Sequence, residues 1–173
     1  MAGNLKPAAH HPISVLFVCT GNICRSPIAE AIFKDMVARA GLADQIRVDS
    51  AGAEAYFAGA PAHAGTRQTL AARGLKSETI SRRVTRADLE GAGYIIALDR
   101  SNLADLRRLL PQADHDGRLR LLLDFSPARS GRSAPSGDVP DPYYSGDFEE
   151  VYRLIEAGCR GLLAHVRLER GLL

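Results

Sequence analysis

At 173 residues the chain is long enough for one domain with a real core and short for two. A hydrophobic fraction of 46% and a net charge of +2 are an ordinary globular balance and give no argument for nucleic acid. Three cysteines, Cys19, Cys24 and Cys159, are too few for a disulfide framework and point to a reducing compartment, the cytoplasm. No apolar run approaches the roughly 20 residues that span a bilayer, so membrane insertion is not expected. The first dozen residues hold no apolar signal region, although a specialised export route stays open.

In chain order, residues 1–12, with Pro7, His10, His11 and Pro12, read as a flexible tail before a single domain at 13–173. His10 and His11 fit a tail better than a metal site. Ile13 to Val18 is a buried strand. A turn follows, and Ser26-Pro27 then predict a helix start, with Ser26 as N-cap and Pro27 at the first helical position. Ile28, Ala31, Ile32, Met36 and Val37 recur at helical spacing, and Gly41 stops the helix. Ile46, Val48 and Ser50 alternate with Arg47 and Asp49, which suggests a second strand nearer a sheet edge. Residues 51–60 are a loop carrying Tyr56 and Phe57. Pro61 opens a second helix that runs to Gly74, and Thr85 with Asp88 reads as a capping box for a short third one. Tyr94 to Leu98 is another buried strand, Ser101 starts a helix that Pro111 ends, and Leu119 to Leu123 is a fourth strand.

Residues 126–140, rich in Ser, Pro, Gly and Arg, form a long exposed loop of the kind that is often functional. A last helix runs from Phe148 to about Arg167, capped by Asp147 and Glu150. Its apolar stripe is Phe148, Val151, Leu154, Ile155, Leu162 and Val166. Strands alternating with helices predict an α/β fold with a mostly parallel sheet and helices on both faces. Ligands in such folds bind at the carboxyl ends of the strands, where the loop after the first strand falls.

That loop carries the chemistry. Cys19 sits where strand meets loop, and Arg25 follows after five intervening residues. Loop amides and a helix N-terminus favour an anion, phosphate above all. The spacing matches neither G-x-x-x-x-G-K-[ST] nor G-x-G-x-x-G. A thiol facing an arginine and a helix N-terminus ionises readily, since such settings bring cysteines to a pKa of about 3.5–7.5, and a thiolate is a strong nucleophile. Arg25 can hold two phosphate oxygens with its planar fork. The hydroxyls of Thr20 and Ser26 lie nearby in sequence. No third and fourth ligand of suitable spacing accompanies Cys19 and Cys24, so neither a metal nor another cofactor is expected.

The run V-C-T-G-N-I-C-R-S-P resembles the active-site signature of the low-molecular-weight protein-tyrosine phosphatases. The likeness recurs in order at Asp49-Ser50-Ala51-Gly52, Leu98-Asp99-Arg100-Ser101-Asn102-Leu103 and Asp141-Pro142-Tyr143-Tyr144, from about Ile13 to Arg167. It implies a compact three-layer αβα fold with a four-stranded parallel sheet and a phosphate-binding loop after the first strand. It implies hydrolysis of phosphotyrosine in protein substrates through a phosphocysteine, with Cys19 as nucleophile, Arg25 as phosphate clamp and Asp141 as general acid and base. From composition alone Asp141 is a turn aspartate, stiffened by Pro140 and Pro142. The resemblance also implies that Thr20, Gly21, Asn22, Ile23, Cys24 and Ser26 form the phosphate site. Tyr56, Tyr143 and Tyr144 then line the cleft walls. Asn22 and Ser50 brace the loop, Ser26 both caps the helix and bonds the thiolate, and Cys24 pairs reversibly with Cys19 on oxidation. Thr79 stands where many members have a histidine that helps hold the loop asparagine.

Two other readings compete. Thr20, directly after the nucleophile, also occurs in arginine phosphatases of this scaffold, which are less like the chain at Asp141 to Tyr144. A non-catalytic phosphate-binding module is the third, and the joint presence of Cys19, Arg25 and Asp141 argues against it. An arsenate reductase needs further redox cysteines that the chain lacks. The oligomeric state is left open, with a monomer as the default.

Overall fold

The computed structural model describes residues 11–127 and 137–173. Residues 1–10 of the expected tail, and residues 128–136 of the expected long loop, lie outside the described residues. Four strands, β1 (Ile13–Cys19), β2 (Ile46–Gly52), β3 (Tyr94–Ala97) and β4 (Leu119–Leu121), form one sheet in the order β2-β1-β3-β4. Each pairing is parallel. The sheet is therefore the expected one, with β1 central and β2 at an edge.

The two-residue period of a strand decides which side chain enters which layer. Along β1, Val15, Phe17 and Cys19 belong to one core, while Leu16 and Val18 belong to the other. The first core is closed by α1 (Arg25–Arg39) and α7 (Phe148–Arg170), through Ile28, Ile32, Phe33, Ile155 and Leu162. The second is closed by Leu89 of α3 (Arg86–Gly91), Leu103 and Leu106 of α4 (Arg100–Leu109) and Ala113 of α5 (Pro111–His115). A central strand buried on both faces is why its sequence is a continuous apolar run rather than an alternating one.

Several boundaries differ from expectation. α1 begins at Arg25, with Cys24 in the cap position and no side-chain cap. Ser26 is not the cap, because its hydroxyl is engaged by Cys19 and Asn22 inside the loop. Pro27 accordingly sits in the third helical position. α2 (Ala64–Ala71) starts later than Pro61, which instead bridges to Ile80, and His63 caps it by accepting the Gly65 N–H. Asp99 rather than Ser101 marks the start of α4, capping it at Asn102. β4 stops at Leu121, where a 3-10 turn, Leu122–Phe125, replaces the expected strand end. α7 extends to Arg170 and packs so closely on that turn that a Cβ at Gly161 would lie 1.7 Å from the Phe125 carbonyl oxygen. The Thr85–Asp88 capping box and the Asp147 cap are present as expected.

Candidate active site

The loop from Cys19 to Arg25 leaves the carboxyl end of β1 and enters α1. Its carbonyls are held from outside. Cys19 O accepts from Ala53 N, Thr20 O from Glu54 N, Gly21 O from Ser81 Oγ and Ile23 O from His63 N, all at 2.8–2.9 Å. Thr66 Oγ1 reaches both Ile23 O and Cys24 O. Asn22 takes φ of +55°, the left-handed geometry that asparagine tolerates better than most residues. Its side chain stays locked all the same, accepting from Arg82 N and donating to Ser26 Oγ (2.9 Å) and Ser50 Oγ (3.0 Å).

That chain of bonds continues outward. Ser50 Oγ donates to Glu30 at 2.7 Å, and the same carboxylate oxygen accepts from Thr79 Oγ1. Lys34 pairs with the other Glu30 oxygen at 2.8 Å. Thr79 thus enters the network through Glu30. At the inner end, Cys19 Sγ lies 3.0 Å from Ser26 Oγ.

Arg25 is 2% exposed, a charge almost wholly inside the protein. Its Nη1 pairs with Asp99 Oδ2 at 2.6 Å and donates to Val139 O at 2.9 Å. Nη2 lies 3.4 Å from Thr20 Oγ1 and 3.7 Å from Asp141 Oδ2. Burial works against the charge, but Cys19, Asp99 and Asp141 outweigh it and hold the guanidinium above its ordinary pKa. Cys24 is raised as well, which keeps this acid neutral rather than charged. Burial first, then the neighbouring Cys19 and Asp141, push its thiol up to about 12. Burial raises Cys159 further still, in the core against α1, away from this loop.

Asp141 follows Val139, which packs in the same core as Cys19 and α1. Val139 N bonds to Leu98 O at 2.9 Å, which lays the segment over the end of β3. Asp141 then caps the short α6 (Pro142–Ser145) by accepting the Tyr143 N–H. The cavity between these parts measures about 220 Å³. Cys19, Thr20, Gly21, Ile23, Cys24 and Arg25 line it from the loop side. Asp141, Tyr56, Tyr143 and Tyr144 line it from above, so distant sequence motifs converge there. Tyr56 and Tyr144 are 73% and 85% exposed, and Tyr143 packs beside Phe57. Asn22, Ser26 and Ser50 lie behind the loop rather than in the cavity wall. A larger groove of about 790 Å³ beside α1 and α7 is lined mainly by surface charges such as Arg39, Glu149 and Arg153 and holds no nucleophile.

Motif spacing does not single out Asp99, Glu30 or Phe57 as site residues. Signals for them exist. Asp99 is an acid at the carboxyl end of a parallel strand, where ligands bind. Glu30 is a lone charge in the apolar run Pro27 to Phe33. Phe57 reads as one of two loop aromatics; it lines the same cavity, packs beside Tyr143, and a Cβ at Gly21 would meet its ring at 2.9 Å. Among the described residues no group of three or more His, Cys, Asp or Glu side chains could hold a metal ion. No helix among them is long and apolar enough to cross a membrane.

The fold is a parallel α/β sheet whose first strand-to-helix loop, at the carboxyl edge, is bounded by a cysteine and an arginine. The family model described as low molecular weight phosphotyrosine protein phosphatase matches residues 14–171, and the chain belongs to that family. It is 44% identical over 161 residues to the low molecular weight protein-tyrosine-phosphatase YfkJ of Bacillus subtilis, covering 92% of this chain and 99% of that one. The crystal structure of that protein superposes with a TM-score of 0.84 at 43% identity, over 92% of this chain and 98% of its own. A low molecular weight protein-tyrosine-phosphatase of Streptomyces coelicolor is 42% identical over 88% of this chain and 93% of its own. The structure of a Drosophila arginine phosphatase also aligns, at 32% identity and a TM-score of 0.76, over 88% of this chain and 97% of its own.

Proposed function

We propose that the protein hydrolyses phosphotyrosine in protein substrates, with Cys19 as nucleophile, Arg25 as phosphate clamp and Asp141 as general acid and base. The observation that carries this reading is the convergence of these three residues on one cavity walled by tyrosines. A loop whose carbonyls are bonded outward turns its N–H groups inward, which suits a phosphate. Arg25 is already oriented by Asp99 and Val139 O, leaving the rest of its fork for phosphate oxygens. The Cys19 thiolate attacks phosphorus, the P–O bond to the tyrosine breaks, and Asp141 gives the leaving phenoxide its proton. Asp141 then takes a proton from water, which attacks the phosphocysteine and releases phosphate and the thiolate.

One phosphatase domain spans 13–173 and follows residues 1–12. The three free cysteines support a reducing location, the cytoplasm. Phosphotyrosine is preferred to phosphoarginine as substrate because Tyr56, Tyr143 and Tyr144 offer ring faces for stacking. Thr20 and the arginine phosphatase neighbour support the second reading. Turnover of a phosphotyrosine peptide against a phosphoarginine peptide decides between them. The expected result is a large preference for phosphotyrosine, and no turnover of either substrate by Cys19→Ser despite retained phosphate binding. Turnover by Cys19→Ser would remove the phosphocysteine step.

A further inference from the structure

Asn102 is fully buried in the first turn of α4 and is tied to the site twice. Its backbone N–H donates to Asp99 Oδ1 at 2.7 Å, and its side-chain Nδ2 donates to Thr20 Oγ1 at 3.1 Å. Both acceptors contact Arg25. Asp99 Oδ2 receives Nη1 at 2.6 Å and Thr20 Oγ1 receives Nη2 at 3.4 Å. The two terminal nitrogens of the guanidinium are thus each led back to Asn102, one through Asp99 and the other through Thr20.

Asn102 keeps this place at a cost. Its Oδ1 has no hydrogen-bond partner among the described residues. Turning the amide over pairs that oxygen with the Thr20 hydroxyl and orphans the nitrogen instead. In either orientation a buried amide is half satisfied, and the satisfied half faces Thr20. An unpaired buried polar atom is destabilising, and an apolar side chain of similar size avoids the penalty.

The geometry around Arg25 supplies a reason. Nη1 is held by Asp99 and Val139 O. A planar fork pinned at one nitrogen still swings about it, and Nη2 is 3.7 Å from Asp141 Oδ2. Shortening this loose ion pair to hydrogen-bond distance ties the clamp to the proton donor. Thr20 is the neutral contact that competes with Asp141 for Nη2. We propose that Asn102 is a positioning residue: through Thr20 it holds Nη2 of Arg25 away from Asp141, keeping the guanidinium for phosphate and the carboxyl for the proton. This rests on the reading of Asp141 as general acid.

The charged and titratable groups that share the cavity with Asp141 are Arg25 from α1, Cys19 and Cys24 from the loop, Tyr56 from the segment after β2, and Tyr143 and Tyr144 from its own helix. An Arg25 that swings closer favours the carboxylate form of Asp141. The alkaline limb of kcat/KM for a phosphotyrosine peptide then moves to lower pH.

The test uses Thr20→Val, which keeps the shape at the loop and loses the hydroxyl, with Asn102→Ala beside it and thermal unfolding to confirm that each is folded. Both variants are expected to bind inorganic phosphate, read as a competitive inhibitor, about three- to tenfold more weakly. Both are expected to show the limb displaced to lower pH, while Thr20→Ser returns the limb to its wild-type position. The double variant is expected to lose no more than the worse single one. If Asn102→Ala does not fold, Thr20→Val and Thr20→Ser decide. Unchanged phosphate inhibition overturns the proposal, as does a limb that stays in place in a protein whose limb Asp141→Ala abolishes. If Asp141→Ala leaves the limb untouched, the general-acid assignment fails and phosphate inhibition alone decides.

Discussion

The Sγ of Cys19 lies 3.0 Å from the Oγ of Ser26, and the same hydroxyl accepts the Nδ2 of Asn22 at 2.9 Å. Asn22 donates, and the other acceptor near the Ser26 hydroxyl, Ala51 O, is at 3.5 Å, so the sulfur is the nearer partner for its proton. A hydrogen bond to a charged group contributes about 1.5–3 kcal/mol. Ser26→Ala is therefore expected to slow phosphocysteine formation by roughly 10- to 100-fold. Alkylation of Cys19 by iodoacetate at neutral pH is expected to slow alongside. Single-turnover kinetics checks the first and mass spectrometry the second. Wild-type rates in both would leave Ser26 with a packing role only.

Asp141 sits 3.7 Å from Arg25 and is 31% exposed, close enough to reach a leaving oxygen and open enough to exchange protons with water. A general acid contributes roughly 10²–10⁴ in rate. The phenol of tyrosine has a pKa of about 10 and leaves poorly without a proton. Asp141→Ala is expected to slow phosphotyrosine cleavage within that range and to slow an activated aryl phosphate much less. The alkaline fall of the wild-type pH profile is expected to flatten. Single-turnover cleavage across aryl phosphates of graded leaving-group acidity is the measurement. A uniform loss across the series reassigns the proton donor.

Cys24 and Cys19 share one loop but differ in surroundings. Burial, Cys19 and Asp141 push the Cys24 thiol up from 9.0 to about 12, so it stays protonated throughout the neutral range. Alkylation below about pH 10 is expected to mark Cys19 and spare Cys24. The linkage has a definite sign. An acid raised on folding stabilises the fold below its unfolded value, and that stability is lost as pH rises from 9.0 to about 12. Mild peroxide is expected to give a reversible Cys19–Cys24 disulfide, because an oxidised Cys19 meets a thiol in its own loop. Peptide mapping with and without reductant reads this, and sulfinic acid on Cys19 without a crosslink contradicts it.

Thr79 and Ser50 both donate to one oxygen of Glu30, and Lys34 holds the other. Glu30 is 7% exposed, so these bonds take the place of water around its carboxylate. Thr79→Val removes one donor and leaves Ser50 and Lys34. A loss of about 1 kcal/mol is expected, or roughly 2–4 °C in Tm, with a several-fold drop in turnover. Glu30→Gln is expected to cost more on both counts, since it weakens three bonds together. Thermal unfolding and steady-state kinetics check both variants. Unchanged values for Thr79→Val mean that the threonine contributes nothing to holding Asn22.

Much of the architecture follows from local pattern. The apolar run at Ile13 to Val18, the Thr85–Asp88 box and the Asp147 cap specify their elements through short-range physics alone: burial period, side-chain-to-backbone bonds and fixed backbone angles. The spacing of Cys19 and Arg25 around a strand-to-helix turn likewise points to an anion site before any tertiary contact is known. Helix starts were less legible. Ser26 has every local mark of an N-cap, yet Cys19 and Asn22 draw its hydroxyl into the loop, so a tertiary bond overrides a local preference. Pro61 is drawn into a bridge with Ile80 in the same way. What only the tertiary structure decided is which distant residues complete the loop. Asp99, Asn102 and Val139 reach Arg25 and Thr20 across 74 or more positions of chain. Glu30 reaches Thr79 across 49. No period or spacing encodes such pairs. They arise because parallel strands place all their carboxyl ends on one edge, and the segments that leave that edge must satisfy one another's buried polar groups.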